Sequence, residues 1–159
     1  MSTKFIYGLL IMLSFSLMSS TCSKDDDINT NDNSVEINQI KATVQSGSWR
    51  ITSFIDSGTD ETSHFTGYSF TFNSNGTLTA SNGSNTFNGT WSVTDSSNGN
   101  DDSNSNSDID FNIYFATPAN FNDDLTEDWD IELYNSTKIQ LIHVSGGNGG
   151  TDTLTFEKI

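Results

Sequence analysis

Eight separate stretches of this chain alternate apolar and polar residues with a period of two. That repetition restricts the fold more than any other feature. The clearest stretch sets Ile109, Phe111, Ile113 and Phe115 against Asp110, Asn112 and Tyr114. Successive side chains on a strand point to opposite faces, so each stretch reads as a β-strand with one face on a core. Tyr68, Phe70 and Phe72 form another stretch, Leu78 and Ala80 a weaker one, and Phe87, Gly89, Trp91 and Val93 a fourth. Trp129, Ile131 and Leu133 follow, then Ile139, Leu141 and His143, then Leu154 and Phe156. The first stretch starts at Gly47 and places Trp49, Ile51 and Ile55 on one face, interrupted by Ser53, with Phe54 on the other.

The connections bring these strands into one sheet. Asn75-Gly76 predicts a tight hairpin with two positive-φ residues, and Asn135-Ser136 a second turn. Loops are expected at 57–66 and 116–126, and 95–107 has no apolar side chain. Ahead of the strands, Ile37, Ile40 and Val44 recur at helical spacing, which predicts a short helix over 35–45. Asn33 with Glu36 has the spacing of a capping box, and Gly47 is placed to end the helix. Eight consecutive strands with mostly short connections make an up-and-down meander whose first and last strands are antiparallel and can pair. The expected fold is therefore all-β: an eight-stranded antiparallel up-and-down barrel with a short N-terminal helix. A flattened, partly open version is the alternative.

The N-terminus has a different character. Met1 to Lys4 is a short cationic start, Phe5 to Leu17 is almost wholly apolar, and Ser19, Ser20 and Thr21 are small. This order is that of a secretory signal peptide, too short to span a bilayer permanently. The single cysteine, Cys22, follows directly, and an exported chain with one cysteine closes no internal disulfide. The junction resembles the lipobox of bacterial lipoproteins, which implies lipidation of Cys22. Ser23-Lys24-Asp25-Asp26-Asp27 resembles the export signal of Bacteroidota lipoproteins. That implies a lipid-anchored protein of the outer membrane, facing the cell exterior. The expected division is a signal peptide at 1–21, a lipidated cysteine and acidic tether at 22–33, and the barrel domain at 34–159.

Without Lys4, five basic residues face 21 acidic ones, a net charge near −16. Such a surface repels polyanions, so nucleic acid and anionic membranes are excluded as binding partners.

Several of these segments together resemble the bacterial lipocalin-like lipoprotein domains. They are Gly47-Ser48-Trp49, Tyr68 to Thr77, Gly89-Thr90-Trp91-Ser92, Asp128-Trp129-Asp130-Ile131, Lys138-Ile139-Gln140-Leu141 and Leu154-Thr155-Phe156. The Thr-Asp-Tyr motif of animal lipocalins is absent. The resemblance covers about 40–159 and implies a small barrel, in some members with a ligand cavity.

Strand parity sends the loops at 57–66, 83–85, 116–126 and 146–150 to one end of the barrel, away from the tether. His64, Phe65, Phe115, Phe121 and His143 lie in or near that mouth and are the candidate pocket residues. A pocket wants an apolar lining with a few polar groups. The competing reading is that these aromatics fill a small core, as side chains do in many eight-stranded barrels.

No metal or cofactor is expected, because His64 and His143 lack ligand-like spacing. The oxygen side chains from Asp102 to Asp110 miss the EF-hand pattern at Ser107 and Ile113. No nucleophile elbow, phosphate loop or zinc-protease motif is present, so an enzyme is not expected. The function expected is a surface lipoprotein whose barrel binds a small apolar or glycan-like ligand. The alternative is a structural or interaction protein of the envelope with a filled barrel.

Overall fold

The computed structural model describes residues 33–96, 109–146 and 149–159. The signal peptide, Cys22, the acidic tether and the ion-binding question at 102–110, apart from Ile109 and Asp110, lie outside those residues. The chain forms a helix α1 (Ser34–Val44) and then β1 (Ser48–Asp56), β2 (Thr59–Asp60), a 3-10 turn η1 (Thr62–Phe65), β3 (Ser69–Phe72) and β4 (Thr77–Ser81). β5 (Thr86–Asp95), β6 (Ile109–Tyr114), a helix α2 (Ala119–Leu125), β7 (Glu127–Tyr134), β8 (Lys138–Val144) and β9 (Thr151–Lys158) complete it.

Each long strand pairs antiparallel with the next, and β1 also pairs with β9 from Trp49↔Lys158 to Ile55↔Thr153. The sheet closes into an eight-stranded up-and-down barrel, with β2 as a two-residue stub on β1. Among the described residues, closure joins the two outer long strands, and the side of β1 beyond its short pairing with β3 is met by β2 and by Thr62 of η1.

Two β-bulges decide which side chains face inward. Ile51 pairs with Phe156 and Ser53 with Thr155, so Thr52 is an extra residue on β1. The extra residue reverses the alternation beyond it. Phe54 therefore enters the core at 2 % exposure, and Ile55, expected on the core face, is only half-buried. On β7, Ile131 pairs with Leu141 and Leu133 with Gln140, which makes Glu132 the extra residue. Leu133, expected inside, is exposed, and Tyr134 packs against the core in its place.

Three local expectations are corrected. The hairpin with two positive-φ residues is Ser57-Gly58, not Asn75-Gly76, where Gly76 alone is left-handed. There the Gly76 N–H donates to Asn73 O and Asn73 N–H to Thr77 O, giving a turn followed by one left-handed glycine. Asn33 makes no capping bond to α1, and its amide instead donates to Asp95 at the far end of β5. α1 ends at Val44 with Gln45 still right-handed, and Gly47 has no positive φ. Gly47 instead leaves room for the Lys158 stem, which crosses it to donate to Ser46.

The loops at 57–66 and 116–126 contain η1 and α2 respectively, so neither is structureless. A seven-residue helix holding Phe121 and Leu125 shows too few turns for its periodicity to be read from sequence. The two helices cover opposite ends of the barrel. α1 lies at the end where β5 finishes, and α2 at the end where β6 passes into β7. Each helix ends in a buried residue whose carbonyl takes a tryptophan N–H: Trp49 donates to Val44 O at 2.7 Å and Trp129 to Leu125 O at 3.2 Å. Carbonyls at a helix C-terminus lack intrahelical partners, so each indole satisfies a group that burial would otherwise penalise.

Gly89 sits buried on the inward face of β5 opposite Leu78. A Cβ there would collide with the Tyr114 carbonyl and come within 2.9 Å of the Phe115 ring. Gly89→Ala is expected to destabilise the protein by about 1–3 kcal/mol through overpacking. A urea unfolding midpoint equal to wild type would show that the ring and backbone shift at no cost.

Candidate functional site

The end of the barrel away from α1 gathers all five candidate residues. Two threonines build the scaffold by the same device. Thr62 Oγ1, at the start of η1, accepts the Phe54 N–H at 2.8 Å, and Thr126 Oγ1, just before β7, accepts the Phe115 N–H at 3.0 Å. The Asn122 amide adds a bond to Phe115 O at 2.7 Å. Each hydroxyl stands in for a ladder partner missing on one side of the strand: at Phe54, inside β1, and at Phe115, just past the end of β6.

These anchors hold Phe65 on η1 and Phe121 on α2 over the barrel axis, with ring centroids 5.3 Å apart. Phe121 also lies 5.3 Å from Phe115, 6.0 Å from Phe70, 5.1 Å from Tyr68 and 5.5 Å from Phe87. Most of these pairs meet edge to face, the arrangement that ring quadrupoles favour. Phe65, Phe115 and Phe121 are each no more than 1 % exposed. No polar or charged residue among those described is buried in the interior. The aromatics at this end thus pack on one another and on Phe70, and no buried polar residue joins them.

The two histidines do not meet. His64 is exposed beside the buried rings, where Nδ1 is 2.7 Å from Asp124 Oδ2 and 3.8 Å from Glu61 Oε2. The contact ties η1 to α2. The hydrogen bond to Asp124 raises the His64 pKa above its usual 6.5, burial opposes this, and the charges of Asp124 and Glu61 add to the rise.

His143 lies on the rim between β7 and β9, its ring 6.1 Å from Trp129. Its Nε2 is 3.6 Å from Glu127 Oε2 and its Nδ1 is 3.8 Å from Asp152 Oδ2. Asp152 is held by the Ser57 N–H at 2.8 Å. Neither carboxylate set was singled out in the sequence, because each pair is made across separate elements: Asp124 is 60 residues from His64, and Glu127 and Asp152 stand on the strands either side of β8.

Outside the barrel, an open trough of about 530 Å³ crosses β5, β6 and β7. Tyr114, 51 % exposed, stands on it with Ser92, Asn112 and Asp128.

The fold and these contacts define the class: a closed eight-stranded β-barrel with a helix over each end and an acidic, histidine-bearing rim. No protein-family profile matches the chain, and no curated protein does. Among solved structures, it is similar to a DUF4847 family protein from Bacteroides vulgatus, with a TM-score of 0.46 and 17 % identity, over 74 % of this chain and 96 % of that one.

Phe121→Ala is expected to cost about 3–5 kcal/mol, the range for emptying a buried aromatic site. Denaturant melts showing a loss under 1 kcal/mol would mean that Phe121 is not packed as described.

The His64–Asp124 contact also sets a pH dependence. A raised folded-state pKa makes the stabilising contribution complete below pH 6.5 and removes it as pH rises through the folded value. The stability gap between wild type and Asp124→Asn should therefore narrow from acidic to alkaline pH. A gap that widens with pH would contradict the assignment.

Proposed function

We propose that this chain is a lipid-anchored protein of the bacterial outer membrane that acts through the outside of a filled, lipocalin-like barrel, without catalysis of its own. One observation carries the reading: Phe65, Phe115 and Phe121 pack ring against ring across the only end that the expected tether leaves free, at no more than 1 % exposure. A recognition pocket needs concavity and a few inward polar groups, and the rings occupy that space with apolar surface. The resemblance of the Cys22 junction to a lipobox supports the anchor. The net charge of −15 suits a partner that is neutral or basic at its contact surface.

Small-ligand binding has one observation in its favour, and it moves the ligand from the mouth to the wall. The trough over β5–β7 offers an exposed ring, Tyr114, beside the amide of Asn112 and the carboxylate of Asp128. An aromatic face flanked by hydrogen-bonding groups suits a glycan-like molecule better than an apolar one.

Native mass spectrometry of the protein extracted from membranes tests the filled barrel. No bound small molecule is expected. A stoichiometric ligand retained by wild type and lost in Phe121→Ala would overturn the reading, whereas one lost in Tyr114→Ala would favour the trough. For the anchor, Cys22→Ala should move the protein from the membrane to the soluble fraction, and retention at the wild-type level would refute lipidation.

A further inference from the structure

The His143 rim, among the described residues, holds carboxylates without a lysine or arginine beside them and a nitrogen without a hydrogen bond. Among the described residues, no lysine or arginine pairs with Glu127, Asp128 or Asp152. His143 Nδ1 is buried and has no hydrogen-bond partner, although its side chain as a whole is 21 % exposed. A buried polar atom without a partner is uncommon and points to a missing group or a missing geometry. On the other side of the ring, Glu127, Asp128 and His143 each offer a ligand atom, all within 4.8 Å of one another. His64 also has two carboxylates, but Asp124 already satisfies it at 2.7 Å.

We infer that Glu127, Asp128 and His143 form a binding site for a divalent cation of the zinc class, with Asp152 orienting the imidazole from behind. One imidazole and two carboxylates suit a borderline metal, and the two carboxylates neutralise its charge. Metal–ligand bonds of about 2.0–2.2 Å in a tetrahedron set neighbouring ligand atoms roughly 3.3–3.6 Å apart. His143 Nε2 and Glu127 Oε2, at 3.6 Å, already have that spacing. A cation on Nε2 places the ring proton on Nδ1, the nitrogen on the Asp152 side, with Oδ2 3.8 Å away. That carboxylate–histidine–metal order is the usual way to fix a ligand's tautomer, and Asp152 Oδ2 becomes the acceptor for Nδ1 once it closes from 3.8 Å to hydrogen-bonding distance, a shift of about 1 Å. Asp152 is positioned for the role by the Ser57 N–H and hydroxyl, which donate to its other oxygen. The donors stand on β7 and β8 and the orienting carboxylate on β9, which holds them more rigidly than loops would. A three-ligand site on the rim leaves the outward coordination position to water or to a partner's side chain.

The test uses the full chain with Cys22→Ser throughout, so that no thiol competes. Zn²⁺ is titrated calorimetrically, and Co²⁺ serves as an optical probe that should quench Trp129. The expected result is one Zn²⁺ per chain, with His143→Gln and Glu127→Gln each weakening binding by tenfold or more. Asp152→Asn should keep the stoichiometry but weaken binding by about 10–100-fold. His64→Gln should change nothing. Circular dichroism without metal confirms folding of each variant, and Glu127→Gln, at a partly exposed side chain, carries the test if His143→Gln fails to fold. No Zn²⁺ uptake up to millimolar concentration overturns the site, as does wild-type binding by both His143→Gln and Glu127→Gln. Loss of binding in His64→Gln alone would overturn it too, by placing the metal at the other histidine.

Discussion

The pairing of β1 with β9 is the constraint on which the other features depend. Once the last strand bonds to the first, the sheet has an inside and two open ends in place of two edges. Every inward side chain must then fill a fixed volume, and each end must be covered or left to water. The bulge at Thr52 belongs to this seam. It lets β1 follow β9 while turning Phe54 inward, where its ring meets Phe65 edge to face at 5.6 Å.

Both ends are covered in the same way. α1 and α2 each lay an apolar face on the barrel and leave a C-terminal carbonyl over the core, which an indole N–H from Trp49 or Trp129 satisfies. A tryptophan fits because it fills a large volume and still has one polar atom to direct. Trp91 does the same within the barrel, donating to Asn73 O at 3.0 Å. Rings that might have lined a cavity thus become the packing of the lids, and polar chemistry is displaced to the rim and the outer wall.

On that rim the two histidines differ by what surrounds them. His64 has a carboxylate at hydrogen-bonding distance and acts as a clamp between η1 and α2. His143 has carboxylates on both sides at 3.6 and 3.8 Å, close enough to attract but too far to bond, and keeps one nitrogen unpartnered. The same residue type in an equally acidic setting is finished in one case and unfinished in the other.

The strands, their order and the closure were legible in the sequence. Period-two alternation survives in any environment that buries one face, as Phe70 and Phe72 or Ile109, Phe111 and Ile113 show. The helix at α1 was legible from Ile37, Ile40 and Val44. The bulges were not, because an extra residue on one strand is defined only by its partner, so Ile55 and Leu133 were assigned to the wrong face. Nor was α2, which is too short to show a period and is held by Thr126, Asn122 and Trp129 rather than by its own propensity. The five mouth residues could be grouped by strand parity, but not their carboxylate partners, since Asp124 is 60 residues from His64 and meets it only through the fold. The local pattern of apolar side chains by itself determined eight antiparallel strands in sequential order, with a closed barrel as the expected arrangement, and the β1–β9 pairing decided closure over a partly open form. Only the tertiary structure decided that Phe65, Phe115 and Phe121 pack on one another at one end and that carboxylates gather around two histidines, because both depend on contacts between segments that no local pattern encodes.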